Sequence, residues 1–176
     1  MHVPTDQEVD ELLDVRELLE AETARLAARS ASPEQVARLR EILAEGQAAI
    51  RVDDFGRAVA ANDSFHAEIA AIAGNSVLAE LADIVGRRVQ WYYRMVAPAR
   101  GRGSWVEHRE MIDAIQAGDA ERAQLLARRH TERTREAYHS GLFNDSRYSD
   151  LRQGPVDLTF TDHSHGLKRP VLGSRY

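Results

Sequence analysis

Apolar residues recur at helical spacing along most of the chain, in segments parted by short clusters of capping and turn residues. From about Asp6 to Arg29 the positions Val9, Leu12, Leu19 and Leu26 keep that period without an intervening glycine or proline, which predicts a first long helix. Ser32-Pro33-Glu34-Gln35 combines a serine cap, a proline in the first turn and a glutamine three residues after the cap, so a second helix starts there and reaches about Arg51. Asp53 offers the cap of a third helix carrying Phe55, Val59, Ile69 and Ala73, and Gly74-Asn75 stops it through a left-handed residue. A fourth begins at Ser76 and carries Leu78, Leu81, Val85, Tyr92 and Met95. Pro98, Gly101 and Gly103 make 97–103 the clearest internal loop, after which Ser104-Trp105-Val106-Glu107 reads as a capping box opening a fifth helix. Asp119 caps a sixth, with Ala123, Leu126, His130, Thr134 and Ala137 on one face, ending near Ser140-Gly141. The expectation is an all-α fold of about six helices in one domain, 6–140. Residues 141–176 lose the period and hold four of the 11 glycines and two of the 5 prolines, so they read as an irregular tail. A short strand over Val156 to Thr161 would lack a partner.

Several inward positions of these helices are polar. Asn62 and His66 share the core-facing stripe of the third helix, one turn apart, while His108 and His130 lie on the inward stripes of the fifth and sixth. A single histidine on an apolar face is usually a structural residue bonded to a carbonyl or hydroxyl. Three in one core each bear a desolvation cost, and either separate polar partners or one shared cation must offset it. Zinc, nickel or a similar borderline ion suits imidazole ligands, at roughly 2.0–2.1 Å in the zinc case. Arg16 and Arg88 are cations on otherwise apolar stripes. Arg16 either snorkels or bonds a carboxylate such as Glu20, or else it binds an anion.

Composition narrows the chemistry. At 176 residues with 43% hydrophobic content the chain fits one domain with a sizeable core and a tail. A net charge of −5 gives no overall attraction for nucleic acid or anionic membrane. No apolar run approaches the roughly 20 residues that cross a bilayer, and the acidic start is unlike a signal peptide, so the expected location is the cytoplasm. There are no cysteines, which removes disulfides, thiolate metal sites and cysteine nucleophiles. The histidine spacing is not that of an H-E-x-x-H protease, and neither a phosphate loop nor a serine nucleophile motif is present. A small helical metalloenzyme with an open coordination position stays as an alternative, as does a purely structural metal.

In order along the chain, Val15-Arg16-Glu17-Leu18-Leu19-Glu20, Leu26-Ala27-Ala28, Phe65-His66 followed by Ala73-Gly74-Asn75, Glu107-His108-Arg109, Ala114-Ile115, Gly118-Asp119 and His130 resemble the FCD domain. This is the effector-binding half of FadR-type regulators in the GntR family of bacterial transcription regulators. The resemblance runs from about Glu8 to Ser140 and rests on the ordered set rather than on any one motif. It implies an antiparallel helical bundle, no enzymatic activity and a homodimer, to which Trp91-Tyr92-Tyr93 would contribute if it is not core. Metal-binding members hold a divalent cation through an aspartate and three histidines, and a small carboxylate effector completes the coordination. Carried over, the histidines are His66, His108 and His130, whereas the aspartate position holds Asn62. The neutral amide would leave the site with less negative charge, weakening cation binding and favouring an anion. Asp63, the nearest carboxylate, lies about 100° around the helix. By the same resemblance Arg16 and Arg88 would grip the effector carboxylate. The family's winged helix-turn-helix has no counterpart in this sequence, so DNA would be bound only through a part absent from the chain. His163 and His165 could collect stray metal.

Overall fold

A computed structural model of the chain describes residues 5–140, apart from the side chain of Trp91. The tail 141–176, with the expected strand at Val156 to Thr161 and with His163 and His165, lies outside the described residues. The architecture is an all-α antiparallel bundle of α1 (Asp6–Ser30), α2 (Pro33–Arg51), α3 (Phe55–Ile72), α4 (Ser76–Gln116) and α5 (Ala120–His139). Helix α4 is the axis, touching each of the other four, while α1 also packs on α3 and α5, and α2 on α3.

Local chemistry accounts for most of the boundaries. Thr5 accepts from Glu8 N, and the Glu8 carboxylate answers Thr5 N, a full capping box. Ser32 and Gln35 form another, as expected, with Pro33 in the first turn. Gly74 and Gly118 take φ of 69° and 70°, the left-handed values that let α3 and α4 end sharply. The cap of α3 is Asp54 rather than Asp53, because Asp53 itself adopts a left-handed φ of 54° and leaves Asp54 to accept from Arg57 N. On α1 the fully buried leucine is Leu13, flanked by the half-buried Leu12 and Leu19.

The largest departure from expectation is at 97–103, which forms no loop. Segments expected as a fourth and a fifth helix run together as α4, with Pro98 inside it. An interior proline costs about 3 kcal/mol through its missing N–H and ring clash. Against that, Val96, Ala97, Trp105, Met111 and Ile112 on either side are all buried in one helical register, the larger ones worth roughly 1.5–3 kcal/mol each. The glycines are packing positions: a Cβ on Gly101 would stand 2.4 Å from Ile50 Cδ1, and one on Gly46 of α2 would stand 1.9 Å from Trp105 Cζ2. Ser104 is therefore a buried mid-helix residue and not a cap.

The apolar interior is divided. One cluster, including Ala27, Leu39, Phe65, Trp105, Ile112 and Ala123, lies at one end of the bundle. A second, including Val9, Leu13, Val59, Tyr92, Val96 and Tyr138, lies at the other. Helices α1, α3, α4 and α5 contribute to both; on α1 and α5 the buried polar residues Arg16, Glu20 and His130 fall between the two contributions, while Asn62, Glu107 and His108 are set among the first cluster's residues on α3 and α4. A polar layer thus crosses the core, with Tyr92 and Tyr93 buried beside it.

Candidate metal centre

Helical geometry delivers three imidazoles to this layer. One coordinating nitrogen from each of His66 on α3, His108 on α4 and His130 on α5 can be chosen so that all lie within 4.8 Å of one another. The ring centroids are 5.3 Å (His66 to His108), 5.5 Å (His66 to His130) and 4.7 Å (His108 to His130) apart. His108 is fully buried and His130 is 1% exposed. Convergence from three segments, the central expectation of the sequence, is present.

Two carboxylates orient the rings. His130 Nδ1 lies 2.8 Å from Glu107 Oε2, and His66 Nδ1 lies 3.1 Å from Glu20 Oε1. Each pairing occupies Nδ1, which leaves Nε2 as the ligand atom. His66 Nε2 is buried without a hydrogen-bond partner, as are both ring nitrogens of His108 and the Asn62 side-chain oxygen. His108 is held by rings instead, stacked on Phe65 at 4.1 Å and edge-on to Trp105 at 4.7 Å. Asn62, one turn before His66 on α3, is 1% exposed. A buried polar atom left unpaired costs about 1–3 kcal/mol, and one nitrogen each from His66, His108 and His130, with the unpaired Asn62 oxygen on the same helix as His66, offers a donor set to which a divalent cation is suited.

The carboxylates are themselves anchored. Arg100 makes a two-pronged pair with Glu107, at 3.0 and 2.7 Å, and Arg133 adds a contact at 2.9 Å. Burial works to raise the Glu107 carboxyl, but the bonds from His130 and Arg100 hold it at about 2. Arg16 Nε donates to Glu20 Oε1 at 2.6 Å, and Thr131 donates to Glu20 Oε2 at 3.2 Å. Burial likewise works against the Glu20 charge, yet Arg16, then His66 and His130, bring it to about 2. Burial pushes the His66 pKa down, with Glu20 opposing and Arg16 adding to the effect. His108 is driven well below its usual value by burial, then by the neighbouring imidazoles and by Arg16. Both are neutral at pH 7, the form that coordinates metal.

Other expected site residues sit differently. Arg16 is buried and bonded to Glu20, the carboxylate that sequence reasoning offered as its partner, and it also lines a cavity of about 450 Å³ bounded by α1, α3 and α4. Arg88 does not line that cavity: it is exposed, and its neighbour Arg87 borders the space. The inward faces of α4 are those of Val85, Val89 and Tyr92, so the stripe passes to one side of residue 88. Asp63 also borders the cavity, accepts from Gln90 at 2.6 Å and is separate from the imidazole cluster. Sequence reasoning missed Glu107, Arg100 and Thr131. The Glu107-His108 dipeptide was visible, but adjacent residues on a helix point about 100° apart, and only the placement of α5 shows that Glu107 turns to His130. Among the described residues no helix is long and apolar enough to span a membrane.

Residues 11–133 match the model of the FCD domain. The Uxu operon transcriptional regulator of Escherichia coli strain K12 is 28% identical over 138 residues, covering 72% of this chain and 52% of that protein. Among solved structures, Streptococcus agalactiae GntR superposes with a TM-score of 0.66 and E. coli McbR/YncC with 0.69. Each is 21% identical and covers 76% of this chain, against 61% and 65% of those chains, so these two carry the likeness of fold. The chain thus spans between about half and two thirds of the length of the relatives it matches. From the matched span and the helical bundle it follows that the chain belongs to the FCD domain family, a ligand-sensing regulatory domain of GntR-type transcription regulators.

Proposed function

We propose that this domain holds a divalent cation, zinc in the first instance and nickel as the nearest alternative, through His66, His108 and His130 with the Asn62 oxygen beside them. The observation that carries the reading is the convergence of three imidazoles from three helices, with buried, unpartnered ligand atoms on His66 and His108. Bound there, the cation would supply a Lewis-acidic anchor for a small organic acid. The chain's own groups do the rest: Glu20 and Glu107 keep Nε2 of two rings turned inward, and Arg16 adds positive charge on the cavity side. A ligand that binds one arrangement of the bundle better than another shifts the population of the two, and in a regulator that shift alters affinity for DNA through a part outside this chain. A homodimer is the assembly we assign to that regulator. The exposed apolar residues Val77, Leu81 and Ile84 on the first turns of α4 are candidates for its contact.

The test is metal analysis of the full chain purified without chelator, with His163→Ala/His165→Ala as background so that the tail does not contribute. One equivalent of metal, lost in His108→Ala and in His130→Ala, is expected. Metal content unchanged by both substitutions overturns the assignment.

A further inference from the structure

We infer that Asp63 selects, among organic acids entering the cavity, those that also carry a cationic amino group. The inference rests on the effector reading above and narrows it.

The charges around the cavity do not balance. Three carboxylates border it, Glu20, Asp63 and Asp83, against two guanidiniums, Arg16 and Arg87. Arg16 is committed to Glu20 at 2.6 Å. Arg87 is committed to Asp83 at the rim, where both side chains are 64% exposed. Asp63 is left over. Its hydrogen-bond partners, Gln90 and Asn62, are neutral amides. Of the cations that act on it, Arg16 already serves Glu20, while Arg94 is exposed and does not line the cavity.

A half-buried carboxylate without a dedicated cation discriminates by charge. A second carboxylate on the ligand would meet a like charge where water screens poorly, whereas an ammonium would meet its complement. The remaining wall is largely aliphatic, with Leu19, Ala70, Ala79, Val85 and Val89, and so accommodates a methylene stem. Asp63 and His66 are three residues apart on α3, so their side chains start roughly 5–6 Å apart. A ligand whose carboxylate faces His66 needs only a short stem to place an ammonium at Asp63. The volume of about 450 Å³ accepts such a molecule with room to spare.

The experiment is calorimetric titration of the zinc-loaded full chain with two matched probe series, ω-amino acids and dicarboxylic acids of three to six carbons. At least one amino acid should bind roughly ten- to hundredfold more tightly than the dicarboxylate of its length, the span expected for one charged hydrogen bond. Asp63→Asn, which keeps an acceptor for Gln90, should erase that preference at unchanged zinc content. The inference is overturned if dicarboxylates bind better, if Asp63→Asn leaves the ratio as it was, or if no amino acid of the series binds at about 10 mM. Failures can be told apart. Dicarboxylate binding that disappears in His66→Ala sinks only the role of Asp63. Silence of both series, with zinc content unaffected by His66→Ala, sinks the effector reading as well.

Discussion

Adding one methyl group at Gly46 should act on the metal centre from the far side of Trp105. The new Cβ would fall 1.9, 2.1 and 2.4 Å from Cζ2, Cη2 and Cε2 of that indole, so reaching ordinary contact near 3.4 Å requires a retreat of about 1.5 Å. Trp105 is 1% exposed and stands edge-on to His108 at 4.7 Å, so the retreat is resisted by packed neighbours and passed to a ligand ring. Overpacking of this kind costs about 1–3 kcal/mol or more, while alanine gains about 1 kcal/mol of helix propensity over glycine. With contacts this short the overpacking cost sits at the upper end, about 3 kcal/mol, so a net loss of about 2 kcal/mol is expected. Gly86 on α4 provides the control, because a Cβ there meets nothing within 4 Å, and Gly86→Ala should stabilise by about 0.5–1 kcal/mol. Urea unfolding at pH 7, compared through midpoints at constant slope, should place the two variants on opposite sides of the wild type, with reduced zinc content only in Gly46→Ala. A Gly46→Ala protein as stable as the wild type would refute the packing argument.

Three further outcomes follow from the same geometry. Chelation of the metal-loaded chain should lower the melting temperature by several degrees, since saturation at about 100 times Kd contributes about 2.7 kcal/mol; an unchanged melting curve would dissociate the imidazole cluster from folding. Asn62→Asp adds a buried charge beside the unpartnered imidazoles, so competition titration should find tighter zinc binding and urea unfolding a less stable apo form; the absence of both effects would remove residue 62 from the site. Glu107→Gln strips the charge that Arg100, Arg133 and His130 share, which should cost about 2–4 kcal/mol in unfolding experiments and weaken metal binding roughly 10- to 100-fold, whereas Glu110→Gln on the same helix should do neither.

Much of this architecture could be read along the chain because it depends on local chemistry. Helix spacing, the Ser32 to Gln35 box and the left-handed Gly74 are decided by neighbours a few residues apart, and they appear where expected. The same local rules misplace the break at 97–103. There, proline and glycine signals are outweighed by contacts with α2, some fifty residues away, where Gly101 meets Ile50 and Trp105 meets Gly46.

The site divides in the same way. Asn62, His66, His108 and His130 could be named from sequence because an inward polar residue stands out against a helical apolar stripe. Arg16 stands out by that test too and lines the cavity, whereas Arg88 is exposed and off its wall, because a single position, about 100° of rotation, separates the cavity from solvent. What the sequence determined alone is the set of helices and the kinds of ligand atom available to them. Only the tertiary structure decided that Glu20 reaches His66, that Glu107 reaches His130 and that Asp63 is left without a dedicated cation. Those relations join different helices, and their distances depend on packing that no run of neighbouring residues encodes.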